Sequence, residues 1–313
     1  MIRLAMLGIS PGNGHPYSFS AIFNGYDEDR MKRCPYPVIY EYLSKQDRRT
    51  MCIPGVRVTH IWAEERREAE DVARTVFIEH VVDHYTDVIG QVDAVVIPHD
   101  EGSLHLEMAR PFLEREIPIF IDKPLADNWP DALELVRLAG KDKLLMSCSA
   151  SRYAREVEEA KRALMELGDV RTMYAVSSKS WVKYGVHLLE ALFALFGGNV
   201  ETVQNVGREG EDVVHLLYAD GRQAVLQVFE DLSPLLQITL HGTRGHWTIT
   251  FGDWFYMFRR MLSLFIEMIK TEQRPIPLEE TLEIIKVLVA GKRSREEGNR
   301  IVSLRNFRRT GRS

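Results

Sequence analysis

"IRLAMLGISPGNGHP", residues 2–16, decides how the rest of the chain is read. A short, mostly apolar run without alternation stops at Gly8, which is the pattern of a strand buried on both faces. Gly12 and Gly14 follow closely. A strand that ends in such a loop and feeds a helix can turn backbone N–H groups and a helix N-terminus toward a pyrophosphate. The spacing departs from G-x-G-x-x-G, because Ser10 and Asn13 stand at the second and third glycine positions and Pro11 lacks an N–H. A tight structural turn would use the same residues. Gly8, Ser10, Gly12, Asn13 and Gly14 form the candidate phosphate loop.

Working outward, four more short apolar runs read as strands: "VRVTHIWA" (56–63), "VDAVVIP" (92–98), "PIFID" (118–122) and "KLLMSCS" (143–149). Helical patterns separate them at "REAEDVARTV", "LHLEMARPFLERE" and "WPDALELVRLAGK". Alternating strand and helix implies right-handed crossovers and a doubly wound parallel sheet, with ligands at the C-terminal strand ends. The one break is the stretch of about 40 residues between Gly14 and Val56, where a crossover needs only about a dozen. It reads as a crossover helix followed by an ordered inserted lobe, residues 15–55 in all, since its tyrosines, Phe19, Phe23 and Ile39 supply apolar material. After residue 150 a helix stopped by Gly168 leads to a strand, the helix "GVHLLEALFALFGG", strands at meander spacing and two closing amphipathic helices. The expected division is a nucleotide-binding domain at 1–149 and an α+β domain with a mainly antiparallel open sheet at 150–313.

The 313 residues carry a formal net charge of -5, which argues against a nucleic-acid partner. The basic end "RNFRRTGRS" reads as a solvated tail. Three cysteines, Cys34, Cys52 and Cys148, without C-x-x-C spacing point to a reducing, cytoplasmic setting, and no run approaches a membrane span. "HVVDH" would put His80 and His84 one helical turn apart around Asp83, but no third ligand follows, so no metal is expected. At the end of the second strand, Glu64 suits ribose hydroxyls and NAD, whereas the neighbouring Arg66 and Arg67 suit the 2'-phosphate of NADP. The cofactor reads as NAD or NADP, with NAD slightly favoured.

"IFIDKPLADNW" (119–129), with the helix before it, resembles the Gfo/Idh/MocA family of NAD(P)-dependent oxidoreductases, in which a strand ends in Glu-Lys-Pro; here the match is Asp122, Lys123 and Pro124. His105 falls where the family has a histidine in the preceding helix, and "SRYAREVEEAKRALMELGDV" and "GNRIVSL" are similar to later family segments. The resemblance implies an N-terminal Rossmann-type fold, a cis Lys123–Pro124 bond, and hydride exchange with a carbohydrate-like alcohol or ketone. Independently of it, an ammonium at a strand's C-terminal end can polarise a reacting oxygen. The strand-end segment "PHDEGSLH" adds His99, Asp100 and His105 as candidate cofactor contacts beside Asp122 and Pro124.

The family's second catalytic element is Asp-x-x-x-His. This chain offers His187, with Lys183 at the aspartate position and Glu190 three residues on, where it could stand in for the missing acid. The family's tryptophan-bearing loop before that histidine is shortened to "SSKSWVK", and the lobe could refill the space with His15, Tyr17, Ser18 and Asn24 as substrate contacts. The resemblance further implies a homodimer or homotetramer through the open C-terminal sheet. Two rival readings stand beside the dehydrogenase: a non-catalytic dinucleotide-binding sensor or assembly protein, and an enzyme whose proton donor is Lys183.

Overall fold

The structure, a computed structural model, describes residues 1–305 and Phe307. The terminal basic stretch beyond Arg305 therefore lies outside the described residues, Phe307 excepted. Two compact units divide the chain. The first comprises Met1–Leu125, Glu134–Ser147 and Phe258–Ile276; the second comprises Ala126–Leu133, Cys148–Met257 and the chain from Pro277 on.

The first unit is built on β1 (Ile2–Leu7), α1 (His15–Asn24), α2 (Glu28–Lys32), α3 (Pro37–Leu43), β2 (Val56–Trp62), α4 (Arg66–Val76), β3 (His80–Val81), β4 (Ala94–Ile97), α5 (His105–Leu113) and β5 (Ile119–Ile121). α6 (Trp129–Ala139) and β6 (Leu145–Ser147) follow. The six strands pair in parallel in the order β3-β2-β1-β4-β5-β6. Every residue of β4, β5 and β6 is buried, which is why those strands read as unbroken apolar runs. Strand order reverses between β1 and β4, so the loops after these two strands diverge and open the crevice where such sheets bind ligands. Pro16 and Pro37 sit in the first turns of α1 and α3, where a missing N–H costs nothing.

One sequence expectation is corrected here. His80 and His84 do not share a helix face: His80 opens the edge strand β3, and His84 caps a 3-10 turn at Tyr85–Val88. The start of "HVVDH" pairs instead with the edge of β2, His80 beside His60 and Val81 beside Ile61. Among the described residues no group of His, Cys, Asp or Glu is placed to hold a metal ion.

In the second unit come α7 (Arg155–Leu167), β7 (Val170–Ser178), α8 (Val186–Phe196), β8 (Val200–Asn205), β9 (Glu211–Tyr218), β10 (Gln223–Phe229), β11 (Leu236–Gly242) and β12 (His246–Thr250). α9 (Trp254–Thr271), which runs into the first unit from Phe258, α10 (Leu278–Glu296) and β13 (Val302–Ser303) close the chain. The seven strands order as β12-β11-β7-β10-β9-β8-β13, antiparallel except for the β7–β10 pair. β9 and β10 alternate buried and half-exposed residues, the period-2 signature of a sheet packed on one face. The shortened connection before α8 is a π-helical turn, Trp181–Gly185, anchored by the fully buried Trp181, whose indole N–H donates to Leu288 O at 2.9 Å.

Candidate active site

In the first unit, the loops at the C-terminal ends of β1, β4 and β5 are tied to one another by the very residues that replace the expected glycines. Ser10 is fully buried, and its Oγ accepts the Asp100 N–H at 3.0 Å. Asn13 donates from Nδ2 to Pro98 O at 2.8 Å and to Asp122 Oδ2 at 3.4 Å, while its Oδ1 accepts the His15 N–H at 2.9 Å. Their side chains are thus engaged within the protein. What remains for a ligand is backbone: Gly8 (φ +100°) and Gly12 (φ +82°) occupy the left-handed region, and a Cβ added at Gly12 would meet only open space.

Gly14 differs. A Cβ there would lie 2.5 Å from Ile39 Cδ1 and 2.8 Å from the Tyr36 ring, so the inserted lobe packs directly on the N-terminus of α1. The lobe's other named candidates look elsewhere. Tyr17 and Ser18 are buried, Tyr17 donating to Asp71 at 3.1 Å, and Asn24 bonds the main chain of Val58 and Val76 at the far end of α1. His15 alone of that set stands at the strand ends.

His15 Nδ1 lies 2.6 Å from Asp122 Oδ2, and its ring stacks on Phe19 at 4.4 Å. Asp122 is 1% exposed. Burial pushes its carboxyl up, but the charges of His15 and Lys123 and the His15 hydrogen bond outweigh burial and hold it at about 2. It is therefore a carboxylate at neutral pH, and a carboxylate only accepts, so His15 presents Nδ1–H to it. Lys123 follows, buried, joined to Pro124 by a cis peptide bond.

His99 is also buried; its Nδ1 accepts the Glu101 N–H at 3.2 Å, which leaves Nε2 as the protonated nitrogen, 3.7 Å from Glu64 Oε1. Glu64 Oε2 accepts the Ile9 N–H at 3.2 Å, so the acid at the end of β2 lies against the glycine loop. Arg66 turns away toward Glu70 and Asp83. His105 is fully buried between two carbonyls, His99 O at 2.8 Å and Leu125 O at 3.1 Å, and burial lowers its pKa. It braces the β4 end against the β5 end through main-chain contacts.

The residues present fit a dinucleotide in the first turn, in the open backbone at Gly12 and in the acid beside Ile9. Pro11 and the lobe on Gly14 are the departures from the usual cradle.

In the second unit, His187 stands in the first turn of α8, half-buried, with the Tyr184 ring edge-on at 5.0 Å. Lys183 lies one turn earlier, in the π-helical turn, and is likewise half-buried. The ring of His187 is oriented by Ser149, whose Oγ is 2.6 Å from Nδ1. Glu190 does not serve as the substitute acid envisaged from its spacing. Its Oε1 accepts the Ser149 N–H at 3.2 Å and its Oε2 pairs with Arg152 Nε at 2.6 Å. The physical reason is charge. Burial pushes the Glu190 carboxyl up, and a fully buried acid is drawn to the one guanidinium that can compensate it. Burial likewise opposes the Arg152 charge, but Glu190 and Glu280 outweigh that and raise its pKa.

Ser149 and Ser151 were not picked out from the sequence. The available signal was a hydroxyl-rich stretch, "SCSAS", just past a parallel strand's C-terminal end.

The family model described as the oxidoreductase family, NAD-binding Rossmann fold (GFO_IDH_MocA), matches residues 40–149, a span that leaves out the glycine loop. No curated protein matches the chain significantly. Among solved structures, a probable dehydrogenase from Thermotoga maritima is 16% identical with a TM-score of 0.77, covering 97% of this chain and 99% of that one. Myo-inositol 2-dehydrogenase from Lactobacillus plantarum is 16% identical at a TM-score of 0.76 and 96% and 99% coverage. GenD2 from gentamicin A biosynthesis, solved in complex with NAD, is 15% identical at a TM-score of 0.76, covering 97% of each chain. At such identities the likeness is one of fold, and it extends over both units. Residues 40–149 thus match the NAD-binding Rossmann fold of the Gfo/Idh/MocA oxidoreductase family.

Proposed function

We propose that the protein is an NAD-dependent oxidoreductase that moves a hydride between nicotinamide and a secondary alcohol or ketone of a sugar, polyol or sugar derivative. The observation that carries this reading is the buried Lys123 beside the ionised Asp122, at the C-terminal end of β5 in an NAD-binding Rossmann fold. A bound nicotinamide dinucleotide supplies the hydride acceptor or donor. Gly8, Gly12 and Glu64 hold it through backbone and ribose contacts, and Lys123 polarises the substrate oxygen as its proton leaves or arrives. His187 exchanges that proton. Inositol dehydrogenation by a structural relative supports the carbohydrate-like substrate class. Glu64 on the glycine loop, with Arg66 drawn to acids, supports NAD over NADP, whose 2'-phosphate would meet a carboxylate.

Titration with NADH and NADPH, followed by turnover on a panel of polyols and their ketones, tests this reading. NADH saturates and Lys123→Met lowers turnover by about 10²-fold or more, with NADH affinity within a few-fold. Unchanged turnover in the variant sinks the assignment. The second reading, a dinucleotide-binding sensor or assembly protein, is favoured by Pro11, by the lobe packed on Gly14 and by Lys183 at the aspartate position. It expects saturable binding with no carbonyl-dependent oxidation of NADH.

The half-exposed face of the second sheet, with Val213, Leu217, Val225 and Phe229, supports a homodimer or homotetramer through that sheet. Sedimentation that finds only monomer at micromolar concentration removes this proposal. Three cysteines, none of them in a disulfide, support a reducing compartment such as the cytoplasm, and no helix among the described residues is long and apolar enough to cross a membrane.

A further inference from the structure

The hydroxyl groups beside His187 leave only one way to place their protons. Ser151 Oγ lies 2.7 Å from the His187 carbonyl oxygen, which can only accept, so the Ser151 hydrogen is committed there. Ser149 Oγ lies 2.9 Å from Ser151 Oγ, and since Ser151 has no second hydrogen, Ser149 is the donor in that contact. Ser149 has then no hydrogen left for His187 Nδ1, 2.6 Å away, so the ring must donate. The two lone pairs of Ser149 Oγ are filled by the Ser151 N–H at 3.2 Å and by His187 Nδ1–H, and its single hydrogen by Ser151. Ser149 is 1% exposed and Ser151 fully buried, so water does not offer these groups an alternative partner.

We infer that Ser149 and Ser151 form a two-hydroxyl relay that holds neutral His187 as its Nδ1–H tautomer and makes Nε2 the nitrogen that takes the substrate proton. Ser149 is a positioning residue. It does for ring orientation what an acid at position 183 would do, without adding a charge. The relay is anchored from behind: the Ser149 N–H is held by Glu190, itself fixed by Arg152. The role of Nε2 in turnover rests on the proposed function; the tautomer does not. In the alcohol-oxidising direction, Nε2 would take the hydroxyl proton, and a bound nicotinamide dinucleotide would supply the acceptor for the C–H electron pair leaving as hydride. The products are ketone, reduced dinucleotide and an imidazolium that still donates Nδ1–H to Ser149.

The test is a long-range proton–nitrogen correlation spectrum of the full-length protein with nitrogen-15-labelled histidine rings, recorded above the ordinary histidine titration range. Loss of one signal set in His187→Asn assigns the ring. The expected wild-type pattern is a protonated Nδ1 and an unprotonated Nε2. Ser149→Ala moves the population toward Nε2–H, and Ser149→Thr, which keeps the hydroxyl, restores it. Ser151→Ala frees the Ser149 hydrogen to donate to Nδ1 and also moves the ring toward Nε2–H, so the relay remains testable if Ser149→Ala does not fold. An Nε2–H wild type, or a tautomer indifferent to both alanine variants, overturns the inference. In an active enzyme, Ser149→Ala lowers kcat about 10-fold or more at unchanged NADH affinity. The expected tautomer in a protein without turnover would remove the functional reading and leave the relay standing.

Discussion

Each unit holds a histidine ring by one oxygen at the same distance, and the two oxygens differ in kind. In the first unit His15 Nδ1 meets the Asp122 carboxylate at 2.6 Å; in the second, His187 Nδ1 meets the Ser149 hydroxyl at 2.6 Å. Both arrangements leave Nδ1 as the donor, the first because a carboxylate has no hydrogen and the second because the Ser149 hydrogen is already engaged with Ser151. Their partners differ in charge. Asp122 carries a buried charge that needs compensation, whereas Ser149 is a neutral hydroxyl that orients the ring without one. The contact distance therefore says little about such a pair until the protons of the partner's own neighbours have been placed.

The comparison breaks most visibly at Asp122. Asp122→Asn removes a buried charge that His15 and Lys123 both face, and the expected cost is about 3 kcal/mol of unfolding free energy. Ser149→Ala exchanges a neutral hydrogen-bonding group and costs about 1 kcal/mol. Denaturant unfolding of the two variants checks this, and equal losses would erase the distinction between the two histidine settings. The same carboxylate sets an acid response. Because its folded pKa is depressed from 3.8 to about 2, its stabilising contribution is complete above about pH 4 and is lost as pH falls through about 2. That loss amounts to about 2 kcal/mol, is absent in Asp122→Asn and persists in Ser149→Ala.

A smaller contrast concerns the glycines that precede the two histidines. A Cβ at Gly185 would lie 2.5 Å from the Trp181 ring, which is itself wedged against Gly291, where an added Cβ would be 2.8 Å from the indole nitrogen. A Cβ at Gly14 would meet the tip of Ile39 at 2.5 Å and the Tyr36 ring. Gly185→Ala is expected to cost about 2 kcal/mol because Trp181 has nowhere to move, and Gly14→Ala about 1 kcal/mol because Ile39 can change rotamer. Thermal melts that reverse this order would show the lobe to be the more rigid partner.

Much of this was legible in the chain. The mostly apolar, non-alternating runs of β1, β4, β5 and β6 announced a parallel sheet because strands buried on both faces do not alternate. The alternation in β9 and β10 announced a one-faced antiparallel sheet for the converse reason. Lys123 stood out because a lysine between an acid and a proline at the end of a buried strand has few purely structural uses. "HVVDH" misled because a helical spacing of histidines has meaning only on a helix, and β3 takes its first two residues. Glu190 misled because i, i+3 spacing places side chains on a common helix face without saying which neighbour from another element draws them.

What the sequence determined alone is local or periodic: strand burial, helix stops, the glycine turn after β1, and the acid-lysine-proline end of β5. These follow from side-chain size, backbone freedom and hydrogen-bonding capacity within a few residues. The tertiary structure alone decided the partnerships. Ser149 reaches His187 across 38 residues, Asn13 reaches Asp122 across 109, and Glu190 turns to Arg152. No spacing rule encodes these pairings, because buried polar groups satisfy themselves with whichever donor or acceptor the folded chain brings within reach.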